Sequence, residues 1–346
     1  MSVDTEGCHN PDSPRTARLE AACDVCRKLP SALRYNLLLP MSLVVVGSVA
    51  YDGVETPHGK VDRMLGGAAT YISLAASYFT EVKIVAVVGD DFAKADRDLL
   101  ASRNIDLAGM ETVAGGKTFF WKGVYSADMN DRTTLQTDLN VFADFQPKLP
   151  ESYRSAPYLL LGNIQPALQR SVHGQMSGVK FTGGDTMNFW INDFRGELLQ
   201  TLKNWNFLLI NDGEARLLSG ESNLRRAAAK IHAMGPKTLV IKRGEYGAVL
   251  FHAGHHFMAP GYLLEDVFDP TGAGDCFAGG FMGYLAGRGA RPKDGHMDLA
   301  ELRKAVIYGS VMGSFCCEKF GVDRFRNLTR EEIEKRYQEF QSCTAF

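Results

Sequence analysis

Short runs of almost wholly apolar residues recur along the chain, at 43–46, 82–88, 158–161, 207–210 and 239–242. Each is too short for a core helix and too continuous for a strand with one wet face. Runs of this kind are strands buried on both sides, the signature of a parallel sheet. Between them the apolar residues fall at helical spacing, giving expected helices over 68–78, 214–219, 224–234, 275–286, 302–320 and 331–340. Thr329 and Glu332 stand in the spacing of a capping box at the start of the last one. Strands alternating with helices imply right-handed crossovers and an α/β architecture: a mostly parallel central sheet with helices on both faces. At 346 residues the chain accommodates one large domain of this type or two smaller ones.

Two regions break the rhythm. Residues 1–41 carry Pro11, Pro14 and scattered charges without a strand pattern, and are expected to be a disordered extension preceding a domain at 42–340. Cys8, His9, Cys23 and Cys26 lie there, but a single C-x-x-C without a matched second pair is a weak zinc signal. The second exception is 118–125, where Phe119, Trp121 and Tyr125 alternate with Thr118, Phe120 and Val124. A strand apolar on both faces is either core or an insertion that covers a site or pairs with another subunit. Segments within about 52–64 and 114–142 are expected to form such a lid, with a homodimer through it.

A formal net charge of −2 leaves no basic field for nucleic acid, so a small molecule is the expected partner. No apolar run is long enough to span a bilayer. Cys276, Cys316 and Cys317, among an odd total of seven, fall in apolar helical surroundings, which suits a reducing, cytoplasmic setting.

Asp269-Pro-Thr-Gly-Ala-Gly-Asp275 is the segment with chemical content. Its glycines do not make the dinucleotide fingerprint, because Phe277 stands at the third glycine position. Gly116-Lys117-Thr118 ends like a phosphate loop of the Walker type, but Glu111 occupies the required first glycine. What remains is a bare Gly272-Ala273-Gly274 turn opening a helix, where amides and helix dipole together attract an anion. A transferring phosphoryl group is such an anion, and one carboxylate beside it removes the proton of the acceptor hydroxyl. Asp275 is placed for that role, or for merely stabilising the helix start.

Asp269–Asp275 with the following Cys-Phe-Ala-Gly-Gly-Phe closely resembles the C-terminal signature of the PfkB/ribokinase family of carbohydrate and nucleoside kinases. Gly47-Ser-Val-Ala-Tyr-Asp52, Gly66-Gly67 before an Ala-rich stretch, Asn211-Asp-Gly-Glu214 and Lys242-Arg-Gly-Glu-Tyr-Gly247 resemble further family motifs, in the family's order. The resemblance implies a ribokinase-like fold with a small β lid, and an ATP- and Mg²⁺-dependent transfer of the γ-phosphoryl group to a sugar or sugar-like polyol. A nucleoside acceptor and a catalytically silent binding protein are the alternatives. It implies Asp275 as general base, the amides of Gly272, Ala273 and Gly274 as anion hole, and Asp52, Gly66 and Gly67 at the acceptor. Asn211, Glu214, Lys242, Gly244 and Gly247 fall to the nucleotide, with Glu214 reaching Mg²⁺ through water, and a monovalent cation near Asp269 stays open. Ala68, Ala69 and Thr70 replace the Asn that sugar kinases of the family often carry there, which speaks against ordinary hexose or ribose. Asp185 and Asn188 depart from the expected spacing and are left outside the site.

Overall fold

The computed structural model describes residues 41–345, so the expected extension and its cysteines lie outside the described residues. β1 (Leu43–Val46) leads into a hairpin, β2 (Ala50–Thr56) and β3 (Gly59–Gly66), and then into α1 (Ala68–Ala76). β4 (Val82–Gly89), α2 (Lys94–Ala101) and β5 (Ile105–Val113) follow, then a second hairpin of β6 (Phe119–Tyr125) and β7 (Arg132–Asp138). The next stretch holds β8 (Tyr158–Leu161), α3 (Pro166–Gln175), β9 (Phe181–Gly184), α4 (Asn188–Asp193) and α5 (Arg195–Leu202). It continues with β10 (Phe207–Asn211), α6 (Asp212–Ser219), α7 (Leu224–His232) and β11 (Thr238–Lys242). Two further strands, β12 (Ala248–His252) and β13 (His255–Ala259), precede α8 (Ala273–Gly287), α9 (Leu299–Cys316) and α10 (Arg330–Thr344).

Nine strands form the main sheet in the order β13-β12-β11-β10-β9-β8-β1-β4-β5. All neighbours from β11 to β5 pair in parallel, and β12 and β13 add antiparallel at one edge. Each apolar run is buried on both faces, as its composition demands. In β1, Leu43 and Val45 enter a core shared with α1, α8 and α9, while Val44 and Val46 enter one shared with α3, α5, α6 and α7. The two hairpins form a separate four-stranded sheet, β3-β2-β6-β7, in which β2 and β6 run parallel.

Glycines let α8 approach its neighbours at backbone distance. A Cβ at Gly279 would lie 2.3 Å from the Ile72 carbonyl and one at Gly283 would lie 2.8 Å from Ala76 Cα, both on α1. On the other side, a Cβ at Gly280 would lie 2.6 Å from the Tyr308 carbonyl of α9. The helix is therefore wedged between α1 and α9.

Observed helix bounds shift from the sequence expectation for local reasons. α8 begins at Ala273, not Asp275, because Gly272 takes a left-handed conformation (φ 77°) that turns the chain into the helix. α9 begins at Leu299 because Asp298 caps it, accepting from the amides of Ala300 and Glu301. The Thr329/Glu332 capping box is present at the start of α10.

Candidate active site

Chain order reverses in the main sheet between β1 and β8: from β1 the strands proceed through β4 to β5, from β8 the other way to β11. Such a switch opens a crevice beyond the carboxyl ends of the strands. Asp185 follows β9 there, Asn211 closes β10 and Lys242 closes β11, the last two directly paired in register. The N-termini of α1 and α8 face the same crevice.

Packing explains the bare turn at α8. A Cβ on Gly272 would lie 2.5 Å from carbons of the buried Tyr71 ring, and one on Gly274 would lie 2.9 Å from Lys242 Nζ. The Lys242 ammonium is thus held against the helix start, which concentrates positive charge where an anion would sit. The Ala273 amide donates to the Pro270 carbonyl at 3.1 Å and closes the 270–273 turn. The amides of Gly272, Gly274 and Asp275 have no acceptor among the described residues. Asp275's own amide therefore joins the candidate anion donors, which sequence spacing did not suggest. Behind the turn Asp269 is fully buried; its Oδ1 accepts from the Thr271 amide and its Oδ2 from the Gly321 amide, each at 2.9 Å.

Carboxylates gather around this turn. Burial raises the Asp275 carboxyl to about 6, against the pull of Lys242 and then Arg132, with Glu214 adding to the rise. Burial likewise holds Asp185 well above the usual carboxylate range, reinforced by the charge of Asp275 and opposed by Lys242. Asp185 Oδ1 is buried without a hydrogen-bond partner, an orphaned acceptor facing this charged group. Asp185, which the sequence reading left outside the site, thus stands in the charged cluster around the turn, just after a β-strand ending in Gly183-Gly184. Asn188, by contrast, starts α4 and is exposed.

Asn211 and Glu214 form a reciprocal capping box: Asn211 Oδ1 accepts from the Glu214 amide at 2.8 Å, and Glu214 Oε2 from the Asn211 amide at 2.9 Å. The pair thus has a structural task, while burial and the opposing pull of Lys242 on Glu214 tie its carboxylate to the same cluster. Gly244 (φ 55°) and Gly247 (φ 82°) shape the β11–β12 connection, closed by the Arg243 amide donating to the Gly247 carbonyl at 2.8 Å. Among the described residues no three carboxylate, imidazole or thiol groups converge closely enough to hold a metal ion unaided. Asp185 and Glu214 instead offer the sparse carboxylate set of an ion that takes its other oxygens from phosphate and water.

The acceptor side is built at β2 and α1. Burial raises the Asp52 carboxyl to about 7, with the charge of Asp269 next and that of Asp275 adding, while the Gly67 amide and Tyr71 hydroxyl act the other way. A Cβ at Gly66 would lie 2.0 Å from Asp52 Oδ2, so only glycine leaves room for that carboxylate. Gly67 (φ 91°) opens α1, and Ser48, which the sequence reading passed over, receives the Ala68 amide on its Oγ at 3.0 Å and the Ala69 amide on its carbonyl at 2.9 Å. In the small sheet Trp121 is the register partner of Asp52, and Arg132 is that of Tyr125. Trp121 lies across Gly123, whose Cβ would sit 2.4 Å from its ring, and the Arg132 guanidinium stands 5.7 Å from the same ring. Arg132 pulls on both Asp275 and Glu214, so the small sheet contributes charge to the site.

Known proteins resemble this chain over most of its length. The profile of the pfkB family of carbohydrate kinases matches residues 41–328. A cytidine kinase of Thermococcus kodakarensis is 30% identical over 254 residues, 72% of this chain and 90% of that protein. A nucleoside kinase of Burkholderia thailandensis in complex with inosine superposes with a TM-score of 0.69 at 21% identity, covering 86% of this chain and 97% of the other. An E. coli protein assigned as ribokinase II, in complex with ATP and Mg²⁺, gives 0.68 at 21% identity, covering 86% and 99%. The fold of these solved structures is that of the chain described above. No helix among the described residues is long and apolar enough to cross a membrane.

Proposed function

Because the chain belongs to the pfkB family of carbohydrate kinases, and is thereby a phosphotransferase acting on an alcohol, we propose that it transfers the γ-phosphoryl group of ATP to a hydroxyl of a nucleoside. The observation that carries the choice of acceptor is the register that sets Trp121 beside Asp52. A carboxylate accepts hydrogen bonds from neighbouring hydroxyls, and an indole face stacks on a planar base. One ligand that presents both is a ribonucleoside. A free sugar or polyol, placed first by sequence motifs alone, engages Asp52 but leaves Trp121 without a ring to cover.

In this mechanism Asp52 and the Gly67 amide orient the acceptor, and Asp275 takes the proton of its attacking hydroxyl. The amides of Gly272, Gly274 and Asp275 receive the equatorial oxygens as charge spreads over them. Lys242 and Arg132 offset that charge from the strand edge and from the small sheet. Glu214 and Asp185 would hold Mg²⁺, partly through water, and the ion would supply further neutralisation of the phosphates. The small sheet serves as a lid that keeps water, a competing acceptor, away from the reacting group. A coupled assay of ADP release with cytidine, inosine, adenosine, ribose, fructose and a polyol tests the assignment. Turnover with nucleosides, lost in Asp275→Asn, is expected; turnover confined to free sugars would remove the nucleoside reading.

A further inference from the structure

Two side-chain hydrogen bonds tie the small sheet to the chain leading into α8. Thr56 Oγ1 of β2 donates to the Phe268 carbonyl at 3.0 Å, and Thr271 Oγ1 donates to the Tyr125 hydroxyl oxygen of β6 at 3.1 Å. The second reaches the anion turn itself. From beneath, Tyr71 fills the space a Gly272 side chain would need; from behind, Asp269 fixes the Thr271 amide. On the crevice side, Thr271 is met by Tyr125, whose register partner Arg132 pulls on the Asp275 carboxyl.

We propose that Tyr125 is a positioning residue, a latch that sets the amides of Gly272, Gly274 and Asp275 only while the small sheet is seated over the site. The hydroxyl oxygen of Tyr125 accepts the hydrogen bond of the Thr271 hydroxyl, so an open sheet takes that acceptor away and frees the Thr271 side chain to rotate. The same movement withdraws Arg132. Anion hole and sheet-borne cation are thereby assembled together, and the turn is out of shape whenever water has access. This proposal rests on the phosphoryl-transfer reading for its catalytic consequence, but not for its structural one.

Tyr125→Phe keeps the ring and removes the acceptor, Thr271→Val keeps the volume and removes the donor, and the double variant closes the cycle. One hydrogen bond of ordinary net strength predicts a fall in kcat of about three- to tenfold in each single variant. The acceptor KM should stay near wild type, because Asp52 and Trp121 are untouched, and the double variant should be no slower than the worse single. Thr271→Ser, which retains the donor, should restore the rate. Independently of any substrate, amide hydrogen exchange in peptides covering 268–280 should quicken in Tyr125→Phe and Thr271→Val alike, without further gain in the double. Unchanged exchange in Tyr125→Phe, or losses that multiply in the double variant, would overturn the latch. Exchange that behaves as expected in a protein phosphorylating none of the acceptors above would uphold the latch and sink the functional assignment.

Discussion

Replacing Lys242 with methionine isolates the electrostatics of the proposed base. The Asp275 carboxyl stands at about 6 because burial outweighs the pull of Lys242 first and Arg132 second. Methionine fills much of the same volume without the charge, and losing a nearby opposite charge raises a carboxyl by about one unit or more. The group should therefore move to about 7 or above. Only the carboxylate can take the acceptor's proton, so the rate follows the ionised fraction. At pH 7 a group at about 6 is roughly nine-tenths ionised, whereas one at about 7 is roughly half ionised. Near pH 6 the fractions are about one half and about one tenth. The variant's rate relative to wild type should therefore fall about fivefold from alkaline to mildly acidic conditions, on top of any pH-independent loss from weaker nucleotide binding. The profile of kcat/KM from about pH 5.5 to about pH 9, which reports the group in the free protein, measures this ratio. A ratio constant across that range would mean that Lys242 acts on the nucleotide alone, and the account of Asp275 would be refuted.

Three further perturbations bear on separate parts of the site. Asp275→Asn should lower kcat by about 10² to 10⁴ while ADP binding, followed by calorimetry, persists, because the base is lost and the amides are not. Asp52→Asn should stabilise the protein above neutral pH: a carboxyl raised to about 7 by folding opposes the native state by up to roughly 4 kcal/mol once pH exceeds that value, and not at all below about pH 4. Urea melts at pH 8 and pH 4 should show the gain only at the former, and the acceptor KM should rise; equal shifts at both would discount the burial argument. Gly272→Ala forces a left-handed conformation that costs an L-residue about 1–2 kcal/mol and drives a Cβ into the Tyr71 ring, so both the melting temperature and phosphoryl transfer should drop. Transfer at the wild-type rate would show that the turn's shape is unimportant.

Elements with strong internal signals were legible in the chain itself. The five apolar runs are strands because burial on both faces leaves no room for polar alternation, and the box at Thr329 identified a helix start by its own hydrogen bonds. β9 escaped because Phe-Thr-Gly-Gly carries little apolar character: a Cβ at Gly183 would lie 2.3 Å from the Phe207 carbonyl and one at Gly184 2.1 Å from that of Leu161, so close strand packing replaced side chains there. α2 buries only Leu100, too little to impose a period. β7 is exposed throughout, and its pairing partner lies in a hairpin whose register no local pattern announces. In the site, Asp275 and its turn were readable because conformation, charge and spacing coincide within a few residues. Asp185, Ser48 and Arg132 were not, since each acts across the sheet edge on partners distant in sequence. Trp121 was readable as an aromatic of a strand apolar on both faces, but its neighbour Asp52 was fixed only by the parallel pairing of β2 with β6.

The glycine contacts of α8 have a mechanical consequence. α1 carries Gly67 at its start and α8 carries the anion turn, and their backbones touch where Gly279 and Gly283 meet Ile72 and Ala76. Two helices joined at backbone distance move as one piece, so the placement of the α1 start relative to the body of α8 is set when the protein folds. None of that joint belongs to the small sheet. The helix pair is therefore a fixed chassis, and in the proposed mechanism the small sheet brings to it Asp52, Tyr125 and Arg132. Away from those three residues, substitutions on β2, β3, β6 and β7 can change which alcohol is admitted without moving the chassis.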